Sequence, residues 1–248
     1  MKVLILAGGL GTRLRSVIND VPKPLAPINE IPYIAYILKA LYQKGLTEVI
    51  LSVGYKAQHF TDFIERHKQQ LPDMEITLLV EPQPLGTGGA LRYCYGKYPA
   101  DSYLIFNGDS FCDFSLEKIL SMGEQHGSAL VVAEVQDVSR YGEVTVFPDG
   151  KVKAFHEKKE SGEGGMINAG IYYIPSHFVA QCEAQKHFSL EHEIIPKLLE
   201  SGLYAVKAIG EFIDIGVPED YQAICADPAH FFENVPKWSQ VQMESKVE

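Results

Sequence analysis

Short apolar runs alternate with longer amphipathic stretches along the first 135 residues of the chain. The runs are rich in Val, Ile and Leu and lack the polar alternation of a strand with one face in water. Such runs are typical of parallel strands covered by helices on both faces. The pattern predicts helices from Pro32 to Gly45 and at 57–70 and 89–96, and strands at 3–7, 48–53, 75–80 and 103–106.

Beyond Ser128 the pattern changes, because strand-like segments follow one another with hairpin-like turns between them. Pro148-Asp149-Gly150 is one such turn. The predicted strands lie at 129–135, 143–147, 151–155, 167–174 and 204–208, and the predicted helices at 191–201 and 218–226. We therefore predict an α/β fold with helices on both sides of a mixed, mostly parallel sheet.

No stretch resembles an interdomain linker, which predicts one domain over residues 1–226 with halves 1–135 and 136–226. From Asp227 the sequence turns polar and contains Pro228, Pro236 and the only Trp. We interpret 227–248 as a C-terminal tail that is extended or partly docked on the domain.

Charge and composition exclude several classes of function. The formal net charge of −10 argues against a nucleic-acid-binding protein. No apolar run approaches the ~20 residues of a membrane span, and the short run at the N-terminus is broken by Gly8-Gly9. The four cysteines contain no CxxC pair, so neither a zinc site nor a disulfide framework is indicated. We expect a reduced, cytoplasmic protein without membrane segments.

A glycine-rich segment follows the first predicted strand, in the order Leu6, Ala7, Gly8, Gly9, Leu10, Gly11, Thr12, Arg13. Successive backbone N–H groups in such a turn can face an anion, which is the geometry of a phosphate cradle. The spacing matches neither a dinucleotide fingerprint nor a P-loop. A purely structural turn remains the alternative, but Arg13 and Lys23, which lies between two prolines in a segment expected to be extended, favour phosphate binding.

These residues carry a resemblance. The glycine segment through Leu14, followed by Pro22-Lys23-Pro24, is similar to the signature of the sugar-1-phosphate nucleotidylyltransferases, a family with a Rossmann-like three-layer fold. Within it, the runs 16–20, 85–89 and 212–221 most resemble the D-glycero-D-manno-heptose 1-phosphate guanylyltransferases. The similarity extends from Lys2 to about Tyr221. It implies that Arg13, Lys23 and Asp109 are catalytic, and that the product is a precursor of a surface polysaccharide such as lipopolysaccharide or capsule.

Two carboxylates are candidate metal ligands. Asp109 follows a buried strand through Asn107-Gly108, at the sheet edge where open α/β folds bind ligands, although a turn-forming role is the alternative. Asp214 is flanked by isoleucines, and acids are rarely buried without a partner. Two such carboxylates together with phosphate oxygens commonly bind Mg²⁺. The family resemblance implies that Asp109 and Asp214 are these ligands.

The nucleotide is expected to lie between the glycine segment and a second glycine-rich loop at 82–88. Glu81 precedes this loop, and a carboxylate can accept both adjacent donors of guanine, which favours GTP over UTP or dTTP. A solvated acid at the end of the strand is the alternative for Glu81. The predicted nucleotide-binding residues are Leu6, Ala7, Gly8, Gly9, Gly11, Thr12, Arg13, Lys23, Glu81, Gly86, Thr87 and Asn107.

The second half of the chain is expected to bind the sugar. The predicted sugar-phosphate contacts are Gly142, Glu157, Lys158 and Asn168. Lys158 lies in a charged run, which is more often a solvated surface, so its role is implied by the family resemblance alone. His156 receives no role. Glu191 is interpreted as a helix-start acid near the N-cap Ser189.

The expected reaction joins GTP and a sugar 1-phosphate, with Mg²⁺ as cofactor, to give a GDP-sugar and pyrophosphate. The attacking phosphate is already an anion, so no general base is required. The alternatives are a mannose-1-phosphate guanylyltransferase, an N-acetylmuramic acid 1-phosphate uridylyltransferase, and a silent regulator that binds nucleotide sugars. The expected partners are these small molecules alone, and a homo-oligomer remains possible.

Overall fold

The computed structural model describes residues 1–9, 21–156 and 163–235. Its centre is a nine-stranded sheet in the order β10-β9-β11-β6-β1-β4-β5, with β8 paired to β11 and β12 paired to β8. Strands β10 and β11 run opposite to the other seven. The predicted mixed, mostly parallel sheet is therefore confirmed. The strands of this sheet are β1 Lys2–Leu6, β4 Glu48–Val53, β5 Glu75–Val80, β6 Ser102–Asn107, β8 Ser128–Val135, β9 Glu143–Val146, β10 Val152–His156, β11 Gly165–Pro175 and β12 Leu203–Lys207.

Helices cover both faces of this sheet, which explains why its central strands are apolar throughout. On β1, Val3 and Ile5 pack toward one face and Leu4 toward the other, and all three are buried. The first face packs against α1 Tyr33–Gln43, α2 Ala57–His67, α4 Leu116–His126 and α8 Pro218–Ala226. The second packs against α3 Gly86–Lys97, α5 Ser176–Ala180, α6 Leu190–Glu193 and α7 Ile195–Ser201.

Two small sheets complete the described fold. The first pairs β2 Pro27–Ile28 with β3 Ile31–Pro32, just before α1. The second pairs β7 Ser110–Asp113 with β13 Ile209–Asp214, and the register aligns Ser110 with Asp214. This second pairing matters for function, because it brings the end of β13 beside the residues that follow β6.

Several predicted boundaries are corrected by the structure. No element was predicted at 110–127, where β7 and α4 lie, although Ser115 caps α4 by accepting from Lys118 N at 3.3 Å and Gly127 ends it at φ +93°. The helix predicted at 191–201 divides at Ile194 into α6 and α7, since Pro196 lies in the first turn of α7.

The residues after α8 pack onto the domain. A short helix, α9 Pro228–Phe231, follows α8. Behind it Phe232 is buried and stacks on Tyr36 of α1, with the ring centroids 4.0 Å apart and the planes 10° from parallel. The first part of the tail is thus docked, and 236–248 lie outside the described residues.

No helix among the described ranges combines the length and the apolar character needed to span a lipid bilayer.

Candidate functional site

A cleft of about 1040 Å³ opens at the carboxyl ends of β1 and β6. This edge is where open α/β sheets bind ligands. Every predicted site residue that the structure describes lines the cleft: Leu6, Ala7, Gly8, Gly9, Lys23, Glu81, Gly86, Thr87, Asn107, Asp109, Gly142, Asn168 and Asp214. The other predicted residues, Gly11, Thr12, Arg13, Glu157 and Lys158, lie outside the described residues.

Three charged side chains meet in this cleft and form what we call the ion cluster: Lys23, Asp109 and Asp214. Lys23 Nζ donates to Asp109 Oδ2 at 2.7 Å and to Asp214 Oδ1 at 3.3 Å. The Lys23 side chain is only 13% exposed, so the ammonium is held between the two carboxylates. Lys23 is separated in sequence from Asp109 by 86 positions and from Asp214 by 191 positions. The ends of β6 and β13 bring the three residues together.

Local backbone structure positions each member of the ion cluster. Pro22 is extended, but Lys23 begins a 3₁₀ turn that runs to Leu25, so the extended segment predicted around Lys23 is wrong. Asp214 ends β13 and accepts a hydrogen bond from Gly216 N at 2.7 Å. Gly216 has no room for a side chain, because a Cβ there would collide with Lys23 Nζ. The turn therefore packs directly against the ammonium.

The electrostatics of the ion cluster favour an additional cation. Burial raises the pKa of the Asp214 carboxyl, the nearby charge of Asp109 raises it further, and Lys23 and the Gly216 N–H lower it. Two carboxylates share a single ammonium, so the cluster keeps a net negative charge.

Asn107 places an unpaired polar atom in the same cleft, two residues before Asp109. Its Oδ1 is buried and has no hydrogen-bond partner among the described residues. An unpaired buried oxygen is expected where a cation, a water or a ligand supplies the missing partner. The side chain is pressed against Gly170, whose φ of +76° and lack of a Cβ allow the close contact.

The ion cluster fits Mg²⁺, which binds oxygen ligands and is usually held in proteins by one or two carboxylates plus phosphate oxygens. Asp109 and Asp214 are the residues that would hold it. In the described ranges no group of three or more His, Cys, Asp or Glu side chains could hold a metal by itself. The remaining ligands would therefore come from substrate and water.

Glu81 is fixed in orientation by two hydrogen bonds. Ser52, which is fully buried, donates its hydroxyl to Oε1 at 2.9 Å, and Leu85 N donates to Oε2 at 3.2 Å. Burial raises the pKa of the Glu81 carboxyl, and these two bonds oppose the rise. Each oxygen therefore keeps one lone pair that no described residue fills. A Cβ at Gly8 would collide with this carboxylate, so one role of Gly8 is to make room for Glu81.

The second glycine-rich stretch is helical where a loop was predicted. Gly86 to Gly89 form the first turn of α3, so the predicted loop at 82–88 ends at Leu85. A side chain at Gly86, Gly88 or Gly89 would collide with the segment 186–190, and Phe188 O accepts from Gly88 N at 3.0 Å and from Gly89 N at 3.2 Å. These glycines therefore allow the 186–190 segment to pack on the helix.

Asn168 also lines the cleft, and hydrogen bonds within the protein hold its side chain. Asn168 Oδ1 accepts from Gly170 N at 3.1 Å, and its Nδ2 donates to Tyr172 OH at 2.6 Å. Gly142, another predicted contact, accepts from Asn168 N through its carbonyl at 3.3 Å. Asn168 is thus held by its own backbone and by Tyr172 before any ligand is present.

Glu191 belongs to the site and was missed by the sequence prediction. Ser189 does cap α6, as predicted, by accepting from Glu191 N at 3.1 Å. The Glu191 carboxylate, however, lines the cleft and accepts from three hydroxyls: Ser189 Oγ at 2.7 Å, Thr87 Oγ1 at 3.0 Å and Tyr172 OH at 3.1 Å. We call Thr87, Asn168, Tyr172, Ser189 and Glu191 the hydroxyl network.

Arg140 and Tyr141 also line the cleft beside Gly142. Both are held by Asp220 of α8, which accepts from Arg140 Nη1 at 3.1 Å and from Tyr141 OH at 3.0 Å. Burial is the main cause of a raised pKa at Tyr141. His156, which received no predicted role, also lines the cleft. Its Nε2 is 3.0 Å from Thr145 Oγ1.

Comparisons with known proteins show which family the chain belongs to. The family model described as "Nucleotidyl transferase" matches residues 2–229. The D-glycero-alpha-D-manno-heptose 1-phosphate guanylyltransferase of Campylobacter jejuni is 38% identical, with 89% of this chain and 97% of that protein covered. The enzyme of the same name from Aneurinibacillus thermoaerophilus is 36% identical, with 93% and 100% covered.

A solved structure of similar sequence has the same fold. HddC from Yersinia pseudotuberculosis, determined in complex with GMP-PN, is 35% identical to this chain and superposes with a TM-score of 0.79. The match covers 91% of this chain and 98% of HddC. The family match over nearly the whole sequence, together with relatives above one-third identity, shows that the chain belongs to the nucleotidyl transferase family.

Proposed function

We propose that the protein transfers a guanylyl group from GTP to a sugar 1-phosphate, D-glycero-α-D-manno-heptose 1-phosphate, and releases pyrophosphate. The observation that carries the proposal is the ion cluster, in which Lys23 lies between Asp109 and Asp214 at the end of the cleft reached by β1 and β6. The identity to two heptose 1-phosphate guanylyltransferases over nearly their whole length supports the choice of substrates.

In the proposed reaction an anionic oxygen of the sugar 1-phosphate attacks the α-phosphorus of GTP. A new P–O bond forms, the bond from that phosphorus to the β-phosphate bridging oxygen breaks, and pyrophosphate leaves with the electron pair. The nucleophile is already charged, so positioning and charge neutralisation suffice. Lys23 neutralises the reacting phosphates when it leaves the two carboxylates. We assign departing pyrophosphate to Arg13 with Gly8, Gly9, Gly11 and Thr12, and the sugar phosphate to Lys158 and Glu157.

Mg²⁺ is the proposed cofactor. When bound, it would screen the negative charge of the reacting phosphates. Asp109 and Asp214 are its proposed ligands, because their carboxylates meet at Lys23 in the cleft. Chelation by EDTA is expected to abolish turnover, and added Mg²⁺ is expected to restore it.

Glu81 is the proposed reader of guanine. Its two oxygens, held by Ser52 and Leu85, keep free lone pairs for the N1–H and 2-amino donors of the base. A uracil or thymine ring offers one N–H between two carbonyls, which a carboxylate accommodates less well. This arrangement supports GTP over UTP or dTTP.

The deciding experiment is a panel of GTP, UTP, dTTP and ATP against heptose 1-phosphate, mannose 1-phosphate and N-acetylmuramic acid 1-phosphate, measured by pyrophosphate release with Mg²⁺. We expect the highest kcat/KM for GTP with heptose 1-phosphate. A higher value for mannose 1-phosphate or for UTP would overturn the substrate assignment. Absence of pyrophosphate in every combination would favour the silent regulator.

The cellular setting is part of the proposal. We place the enzyme in the cytoplasm, where GTP is available, and its four free cysteines suit a reducing compartment. We further propose that residues 1–135 bind the nucleotide and 136–226 the sugar within one domain, and that the GDP-sugar supplies surface polysaccharide synthesis. Size-exclusion chromatography with light scattering would determine whether the protein forms a homo-oligomer.

A further inference from the structure

Glu191 is the member of the hydroxyl network whose chemistry the proposed reaction leaves unexplained. It is a carboxylate on the wall of a cleft that is proposed to bind two phosphate-bearing substrates. Its partners in the described part of the chain, Ser189, Thr87 and Tyr172, are all uncharged hydroxyls. A carboxylate in this position repels phosphates, so its ligand must be a hydrogen-bond donor without negative charge.

The hydrogen bonds of the network define what that donor can be. A carboxylate has about four lone-pair sites, of which hydrogen bonds from the described residues fill three, and among these residues Tyr172 OH is the one donor to Oε1. Asn168 Nδ2 has two hydrogens, of which Tyr172 OH takes one. Within the described part of the chain, an acceptor site on Glu191 and a donor hydrogen on Asn168 therefore stay unused on either side of the same phenol.

A free acceptor beside a free donor matches neighbouring hydroxyl groups on a sugar ring, because each hydroxyl both donates and accepts. We infer that Glu191 is a specificity-determining residue that accepts a hydrogen bond from a hydroxyl of the sugar, an inference that rests on the proposed function. The network fixes the carboxylate in advance, since Thr87 on α3 and Tyr172 on β11 hold it from two sides.

The test uses Glu191→Gln, which keeps the shape of the side chain and removes its charge. We expect the KM for heptose 1-phosphate to rise roughly 10- to 100-fold, the usual cost of a charge-assisted hydrogen bond, while the KM for GTP stays unchanged. Glu193→Gln is the matched control, because Glu193 lies on the same short helix but is exposed and does not line the cleft. It is expected to leave both KM values unchanged.

A binding measurement without turnover separates the inference from the proposed function. Calorimetric titration with GDP-heptose and with GDP is expected to show that the wild-type protein binds GDP-heptose more tightly, and that Glu191→Gln loses this advantage while its affinity for GDP is kept. Tyr172→Phe, which removes the bridge between Asn168 and Glu191, is expected to act in the same direction with a smaller effect.

Three results would overturn the inference. Equal increases in both KM values, or a parallel loss of GDP affinity, would make Glu191 a structural residue of the 186–190 segment. Full sugar affinity in Glu191→Gln, in a wild-type background that turns over heptose 1-phosphate, would remove the contact and leave the proposed function standing. A wild-type protein that neither releases pyrophosphate nor binds GDP-heptose better than GDP would remove both.

Discussion

The ion cluster and the hydroxyl network hold their side chains in the same cleft by different physical means. In the ion cluster, one ammonium lies between two carboxylates, and partial burial strengthens every interaction. In the hydroxyl network, one carboxylate is held by neutral hydroxyls on three different segments. The first arrangement depends on charge balance and the second on geometry.

This difference separates what each region can do. The ion cluster keeps its negative charge until another cation enters, so it suits phosphate chemistry, in which charge must be neutralised. The hydroxyl network offers single donors and acceptors in fixed positions, so it suits discrimination between uncharged ligands that differ in one hydroxyl. We therefore expect substitutions in the ion cluster to change kcat and those in the network to change KM for one substrate.

Asp109→Asn is the substitution in the ion cluster that we expect to lower kcat the most. Removal of one negative charge weakens the proposed Mg²⁺ site and releases Lys23 from its 2.7 Å contact. We expect kcat for pyrophosphate release to fall about 10²- to 10³-fold, as when a preorganised electrostatic group is lost. Asp113→Asn is the matched control, because Asp113 lies on the adjacent strand and pairs with Lys44 at 2.7 Å outside the cleft.

Equal losses of kcat in Asp109→Asn and Asp113→Asn would show that the effect is one of folding. Full activity in Asp109→Asn would contradict the role of the ion cluster.

Lys23→Met is expected to separate stability from catalysis. The substitution leaves two facing carboxylates without a cation, so we expect the free energy of unfolding in EDTA to fall by about 1–3 kcal/mol and kcat to fall about 10²-fold. Because the carboxylates are then free, Mg²⁺ should raise the melting temperature of Lys23→Met more than that of the wild type. Thermal unfolding with and without Mg²⁺ measures this.

Lys44→Met provides the comparison for that experiment. It breaks a salt bridge of the same length, but Asp113 has no second carboxylate partner in the ion pairs of the described ranges. Mg²⁺ is expected to give this variant no more stability than it gives the wild type. An equal response of both lysine variants to Mg²⁺ would argue that the metal binds elsewhere.

The sequence predicted the sheet well, because burial on both faces leaves a direct signal in the residues. The predicted strands at 48–53 and 75–80 have the bounds of β4 and β5. Helix α4 was missed even though Ser115 and Gly127 mark its two ends. The predicted 191–201 helix was wrong at its centre, where the effect of Pro196 was overlooked.

The site could be predicted only where a motif stands next to an element boundary. Lys23, Asp109 and Asp214 were candidates from their place beside a glycine segment or a buried strand, the family resemblance assigned their roles, and the structure brings them into contact. The hydroxyl network had no comparable signal, because Thr87 and Glu191 are 104 positions apart and neither belongs to a charged or glycine-defined motif with the other. Only the packing of α3 against the 186–190 segment brings them together.

Glu81→Gln tests whether the preference for GTP depends on the charge of Glu81. The amide replaces one acceptor with a donor, so the KM for GTP should rise about 10- to 100-fold while the KM for UTP changes less. Burial raises the pKa of Glu81, and guanine needs the ionised form. The wild-type KM for GTP should therefore increase as the pH falls through that raised pKa, and Glu81→Gln should lack this part of the increase.

Glu75→Gln, at the exposed start of β5, the strand that Glu81 follows, is the control and should keep the wild-type pH profile. A GTP preference that survives Glu81→Gln at every pH would show that another group reads the base.

The smallest expected effects concern the contact between Gly88, at the start of α3, and Phe188, which precedes Ser189 and Glu191 of the hydroxyl network. Gly88→Ala would force a methyl group into Phe188, so we expect a loss of about 1–3 kcal/mol in the free energy of unfolding. Displacement of Phe188 also moves Ser189 and Glu191, so the KM for the sugar should rise while the KM for GTP changes less. Gly96→Ala, in the last turns of the same helix, meets only Arg92 Nη1 at 3.7 Å and should instead add about 0.5–1 kcal/mol. Chemical denaturation of the two variants, together with their KM values, would show whether the geometry of the hydroxyl network depends on this packing. If Gly88→Ala is destabilised but keeps the wild-type KM for the sugar, the network does not depend on the packing.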